Sequence, residues 1–349
     1  MVLHIFNPSH DEALASDSPY YNETKAAQLT AQSIAPLAAF WAEEGDVLLL
    51  PKGAKIYDSA YTKNIHYIYE EELASFDYAA IERIEPWGWN KALVHRLRKL
   101  GVPERLLPTN KALEDIRQFS SRRLAVSLLS KLVPLSPMLI GESTWCTSFE
   151  TTLQTIERYG TAMLKAPWSG SGRGVFRTGL PMSENVEFRI KKVLREQHAI
   201  EVEPYYHRKV DFAMEFSAED NAVSYQGLSL FRTHTSGSYM GNIVADEDTL
   251  REMLPDVSTE LLSLVAAACE KELSLLLAGH YRGPLGIDMM LVEEPNSQTL
   301  RLHPCVEINL RRTMGHAAIS LRKLVAPGEQ GLLCAEGFFK EQAPIYPNK

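Results

Sequence analysis

The 349 residues, 45% hydrophobic and 23% charged, describe an ordinary globular protein with a sizeable core and room for two or three domains. A formal net charge of −8 with both signs interspersed offers no broad basic field to nucleic acid or an anionic membrane, and no apolar run approaches the roughly 20 residues of a membrane span. The four scattered cysteines, Cys146, Cys269, Cys305 and Cys334, form no C-x-x-C pair and no zinc or disulfide spacing, so small-molecule or short-peptide substrates in a reducing cytoplasm are the expectation.

The first hundred residues read as alternating strands and helices. "VLHIF" and "DVLLLP" are strand-like, "NIHYIY" alternates, and a further short strand is expected around Ile81 to Ile84. Between the first two, Glu23 to Glu44 has helical apolar spacing, with Pro36 predicting a kink or two helices. Asn90 can cap a helix that Gly101 stops. This alternation implies a parallel-sheet α/β domain over residues 1–107, in which ligands gather at the carboxyl ends of strands. Two segments lie there: "FNPSHDEALA", with Asn7, Ser9, His10 and Asp11, and "PWGWN", whose Trp87 and Trp89 could equally pack in an interdomain seam.

A second unit, 108–200, begins with the helical "TNKALEDIRQFSSRRLAVSLLSKL", where Ser120 and Ser121 are expected to cap a helix starting at Arg122. "FETTLQTIERYG" predicts a helix ended by Gly160, and "TAMLKA" a strand. "MLKAPWSGSGRGVF" then sets Lys165 before Gly170, Gly172 and Gly174. A P-loop is excluded because its lysine follows the glycines, and the dinucleotide fingerprint fails on spacing and context. What remains is a glycine loop between two strands, either a plain surface turn or a set of backbone N–H groups converging on anionic oxygens beside a lysine.

The third unit, 201–349, contains "GIDMML" and "VEINLR" on either side of the turn signal "EEPNSQ", which predicts a hairpin. Alternation puts Asp288 and Met290 on one face of the first strand and Glu307, Asn309 and Arg311 on one face of the second. Folding about Pro295 to Ser297 brings Asp288 within a rung or two of Glu307. Two carboxylates and an amide oxygen are hard ligands that suit Mg²⁺ shared with substrate phosphates, although a half-exposed sheet shows the same alternation.

Taken together, these motifs resemble the ATP-grasp superfamily, in order from about Arg122 to Arg311. The resemblance implies a parallel-sheet pre-ATP-grasp domain followed by a two-lobed ATP-grasp domain, α+β in its C-terminal part, and ATP with two Mg²⁺ as cofactors, Mn²⁺ being an alternative. It carries Lys165 and Arg122 or Arg123 onto phosphate contacts, and Ser169, Gly170, Ser171 and Gly172 onto the loop over the β and γ phosphates, with the role of Arg173 open. Glu203, Pro204 and Tyr206 match the hinge that reads adenine, Asp211 the ribose acid, and Met163 and Met290 the adenine pocket. Asp288, Glu307 and Asn309 match the metal ligands, and Arg311 the arginine beside the reacting phosphoryl group. Where members often place a further lysine, Arg232 and His234 are the replacements here, with Asn242 a weaker choice; His316 is placed near a helix start.

The resemblance further implies an acylphosphate ligase: a substrate carboxylate attacks the γ-phosphorus and an amine displaces the phosphate. A phosphotransferase that stops at a phosphorylated product and a non-catalytic nucleotide-binding module stand as alternatives. No nucleic acid or membrane partner is expected, and homodimerisation is left open.

Overall fold

The computed structural model describes residues 1–54, 56, 62, 64–169, 174–219, 221–233, 239–294, 299–334 and 337–341. Its first sheet is wholly parallel, with β1 (Val2–Ile5), β2 (Val47–Leu50), β3 (His66–Tyr69) and β4 (Arg83–Pro86) in the order β3-β2-β1-β4. The helices α1 (His10–Ser16), α2 (Lys25–Ile34) and α3 (Lys91–Lys99) belong to this unit. Local chemistry sets their ends. The Thr24 hydroxyl accepts from the Ala27 N–H at 3.2 Å to start α2, and Pro36 falls in the 3-10 turn Ala35–Phe40 that follows it. Asn90 Oδ1 accepts from the Leu93 N–H at 2.9 Å to start α3.

The chain then passes through α4 (Asn110–Phe119) and α5 (Arg123–Leu132) to an antiparallel sheet of β5 (Thr144–Cys146), β6 (Thr161–Lys165), β7 (Val175–Gly179) and β8 (Ile200–Pro204), ordered β5-β8-β6-β7. Helices α6 (Phe149–Tyr159) and α7 (Glu184–Gln197) pack Ile156 and Ile190 against Leu164, Phe176 and Val202. A one-sided core of this kind commits the other face of β6 and β8 to polar work. Met163, Lys165, Glu201 and Glu203 all lie on that face by alternation.

The third sheet holds β9 (Arg208–Glu219), β10 (Ala222–Thr233), β11 (Tyr239–Val244), β12 (Gly283–Glu293), β13 (Leu300–Asn309), β14 (Gln330–Cys334) and β15 (Gly337–Glu341), ordered β13-β12-β9-β10-β11-β14-β15. With it come α8 (Glu247–Glu252), α9 (Thr259–Leu277) and α10 (Met314–Leu321). Phe212, Met214, Phe216, Ile287, Met289 and Leu291 form its core face, packed on Leu128 and Leu132 of α5 and on Val265, Cys269 and Leu273 of α9. The opposite face therefore carries Asp211, Glu215, Asp288 and Met290.

A second core joins the first sheet to the third. Phe6, Ile34, Leu37, Leu50 and Trp87 pack with Val244, Ala317, Ala318 and Leu321. Trp87 is thus a seam residue, whereas Trp89 packs within the first unit.

Candidate functional site

The centre of the site is the β12–β13 hairpin. Asp288 stands directly opposite Glu307, and Gly286 opposite Asn309. One repeat along, Met290 is opposite His303, so residues 304–306 face Met289 across a bulge. Pro304 falls in that bulge, where its missing N–H breaks no ladder bond. On its other side β12 pairs with β9, placing Ala213 beside Asp288 and Asp211 beside Met290.

Three cations converge on this face. Arg122 is buried, and its guanidinium donates to the Ala166 carbonyl at 2.6 Å, to Ser169 Oγ at 2.8 Å and to Glu307 Oε1 at 2.7 Å. Lys165 Nζ donates to the Val306 carbonyl at 3.2 Å and lies 2.9 Å from Glu203 and 3.9 Å from Glu201. One ammonium thus faces two buried carboxylates, and burial pushes the Glu203 carboxyl up. Arg311 donates to Asn309 Oδ1 at 2.9 Å and to both oxygens of Asp11. Desolvation and then the facing Glu307 and Glu215 raise Asp288 to about 8, against the pull of Arg311 and Asn309.

Two opposed carboxylates with an amide beside them fit a divalent cation, which would remove the repulsion that Asp288 feels. Among the described residues no group of three or more His, Cys, Asp or Glu is arranged to hold a metal. Asp288, Glu307 and Asn309 together offer two carboxylates and one amide oxygen, hard donors of the type a divalent cation shares with ligand oxygens.

The remaining expected residues fall as follows. Arg122 points into the cluster and Arg123 is exposed. Of the two serines expected to cap α5, Ser121 Oγ accepts from the Arg123 N–H at 3.4 Å, whereas Ser120 Oγ donates to the Ile116 carbonyl. Met163 pairs with Glu203 and Ala162 with Pro204, while the Tyr206 hydroxyl accepts from the Glu142 N–H at 2.9 Å. Burial raises Asp211, whose carboxylate accepts from Thr233 Oγ1 at 2.9 Å and pairs with Arg208 at 3.0 Å. Ser229 pairs with Ala213, so alternation puts Phe231, and not Arg232, on the cleft side of β10 ahead of the bulge after Arg232. Asn242 is buried and donates to Ser229 Oγ at 2.6 Å. His316 lies in the first turn of α10, 3.0 Å from Glu215. Gly170, Ser171, Gly172, Arg173 and His234 lie outside the described residues.

Four residues carry more of the site than their sequence context suggested. Asp11 was one of several polar residues in a loop, and the structure ties it to Arg311. Glu201 is buried and accepts from Ser143 Oγ at 2.8 Å; two glutamates alternating within the apolar "IEVEP" were its available signal. Glu215 is buried beneath α10, and His303 beside Met290. Neither had a distinguishing neighbour in the chain.

A cavity of about 410 Å³ opens in the first unit, lined among others by Asn7, Ser9, Tyr20, Asn90, His95 and Arg96. It lies where the strand order diverges from β1 to β2 on one side and β4 on the other, the expected crevice of an open parallel sheet. Asn7 Nδ2 donates to the Gly88 carbonyl at 2.9 Å across that crevice.

No family model and no curated protein matches the sequence. Solved structures match its fold. The N5-carboxyaminoimidazole ribonucleotide synthetase of Thermus thermophilus is 16% identical, with 96% of this chain and 82% of that one covered at a TM-score of 0.50. A pyruvate carboxylase of Rhizobium etli, solved with its allosteric activator acetyl coenzyme-A, is 13% identical over 85% of this chain at a TM-score of 0.54. This chain spans only 27% of that carboxylase.

Proposed function

The chain has the ATP-grasp fold, and on that premise we propose that it is an ATP- and Mg²⁺-dependent ligase joining a substrate carboxylate to an amine through an acylphosphate. The observation that carries this reading is the rung on which Asp288 directly faces Glu307, with Arg122 bonded to Glu307 and Arg311 bonded to Asn309 on the adjoining rung. Asp288, Glu307 and Asn309 would hold Mg²⁺, which when bound neutralises triphosphate oxygens and the charge of the transferring phosphoryl group.

The chain's own residues would do the rest. Each cation proposed to bind phosphate has a carboxylate partner within the chain, Lys165 in Glu203 and Arg122 in Glu307. Nucleotide binding would offer both cations phosphate oxygens, and the bound metal would take up the charge of Glu307. Arg311, held in place by Asp11 and Asn309, faces the γ-phosphoryl group. A substrate carboxylate oxygen attacks the γ-phosphorus and ADP leaves; the amine nitrogen then attacks the acyl carbon and phosphate leaves, with one proton lost from nitrogen. The 410 Å³ cavity, lined by Asn7 and Ser9 just ahead of the helix that bears Asp11, is the proposed place for part of the second substrate.

The test is release of ADP by purified protein with Mg²⁺ against pools of carboxylates and amines. Turnover should require one member of each pool and vanish in Glu307→Gln. Turnover that survives Glu307→Gln would remove the metal assignment, and ADP release with a carboxylate alone and a stable phosphorylated product would favour a phosphotransferase.

A further inference from the structure

His303 is wholly buried, and neither of its ring nitrogens has a hydrogen-bond partner. Buried polar side chains are nearly always partnered, and leaving both nitrogens of an imidazole bare is unfavourable, so the residue calls for a partner from outside the chain. Its position says which one. His303, Met290 and Asp211 are consecutive across β13, β12 and β9, forming one row on the cleft face. The next row holds Glu307, Asp288 and Ala213, one side-chain repeat or roughly 7 Å along the strands. A nucleotide whose phosphates lie over the second row sets its nucleoside over the first.

The surroundings agree. The Tyr206 ring is 5.3 Å from the His303 ring at 68°, and Gly141 brings backbone so close that an added Cβ would lie 2.9 Å from His303 Nε2. Burial, followed by the charge of Lys165, lowers the imidazole to about 3, so at neutral pH it carries one donor and one acceptor. The purine edge of adenine likewise pairs a donor, N6–H, with an acceptor, N7.

We propose that His303 hydrogen-bonds the base of the bound nucleotide and so sets affinity for the nucleoside part of ATP. This rests on the ATP reading above. Lys165, paired with Glu203 on the facing sheet, closes this row from the other side, and entry of the nucleotide separates that pair.

The experiment titrates Mg²⁺–ATP and Mg²⁺–tripolyphosphate into the wild type, His303→Leu and His303→Asn by calorimetry, and records thermal unfolding of each without ligand. His303→Leu should bind ATP about ten-fold more weakly, the loss of one buried hydrogen bond, with tripolyphosphate unchanged. Its ligand-free unfolding temperature should not fall, because two bare nitrogens have been removed. His303→Asn, which restores a donor and an acceptor, should recover part of the ATP affinity and serves if the leucine variant does not fold. Equal ATP affinity in both variants, or ATP and tripolyphosphate weakened alike, overturns the proposal. A wild type that binds neither ligand overturns the ATP reading and the role of His303 with it.

Discussion

Arg311 grips Asp11 with two hydrogen bonds, 2.8 Å from Nε and 2.7 Å from Nη2, across 300 residues of sequence. This contact fastens the first turn of α1 to the end of the β12–β13 hairpin, so the first unit takes part in orienting the Arg311 guanidinium. Bidentate carboxylate pairing fixes a guanidinium plane as well as its position.

Replacing Asp11 by Ala should lower stability by about 2 kcal/mol, the scale of hydrogen bonds to a charged group left without its partner. Urea unfolding measures it. A variant as stable as the wild type would mean that Arg311 finds another acceptor and that the docking rests on the apolar seam alone.

The pH dependence of stability should carry the signature of His10. This ring is buried between Asn90, 3.2 Å away, and Gly88, with Asp11 and Arg311 as its charged neighbours; burial lowers it to about 4. Between the ordinary histidine value near 6.5 and about 4, the unfolded chain binds a proton that the folded chain does not. The contribution is therefore complete above pH 6.5 and is lost as pH falls toward 4, amounting to ~3 kcal/mol over the window. In His10→Asn, unfolding free energy should change less steeply with pH over this interval; an unaltered slope would assign the acid sensitivity to other groups.

Gly315 should not tolerate a methyl group. A Cβ there would run into Glu215 Oε1 and stand 2.6 Å from Ser229 Oγ, and one added at Gly286 would lie 2.5 Å from Glu215 Oε2. Gly315→Ala is expected to destabilise by about 2–3 kcal/mol through overpacking. In a Glu215→Ala background the same change should be far milder, and a double-mutant cycle reads the difference. Equal penalties in both backgrounds would show that the obstruction is not Glu215.

Removing divalent metal should weaken nucleotide binding only while Glu307 is present. Excess EDTA is expected to reduce the thermal stabilisation given by ATP in the wild type and to have little effect on Glu307→Gln, whose response should already be small. An EDTA effect of equal size in both proteins would place the metal elsewhere.

Much of the architecture was legible because it follows from local periodicity. The alternation of "GIDMML" and "VEINLR" fixed the faces of Asp288, Met290 and Glu307, and the parallel sheet followed from strands alternating with helices. Of the expected serine cap only Ser121 takes part, accepting from the Arg123 N–H, because Ser120 Oγ bonds back to Ile116 within α4. Arg232 was expected at the site from the resemblance, as the replacement for a lysine that members often carry, and alternation along β10 puts its neighbour Phe231 on the cleft side.

By itself, then, the sequence determined which side chains share a strand face, since a period of two residues is a property of the backbone. It could not determine which faces meet. The rung joining Asp288 to Glu307 depended on hairpin register, the Pro304 bulge moved His303 opposite Met290, and docking of the first unit brought Asp11 to Arg311. Those pairings depend on how separate elements pack, and that is decided by burying Phe6, Trp87, Val244 and Ala317 in one seam, an interaction summed over the whole molecule rather than written at any one position.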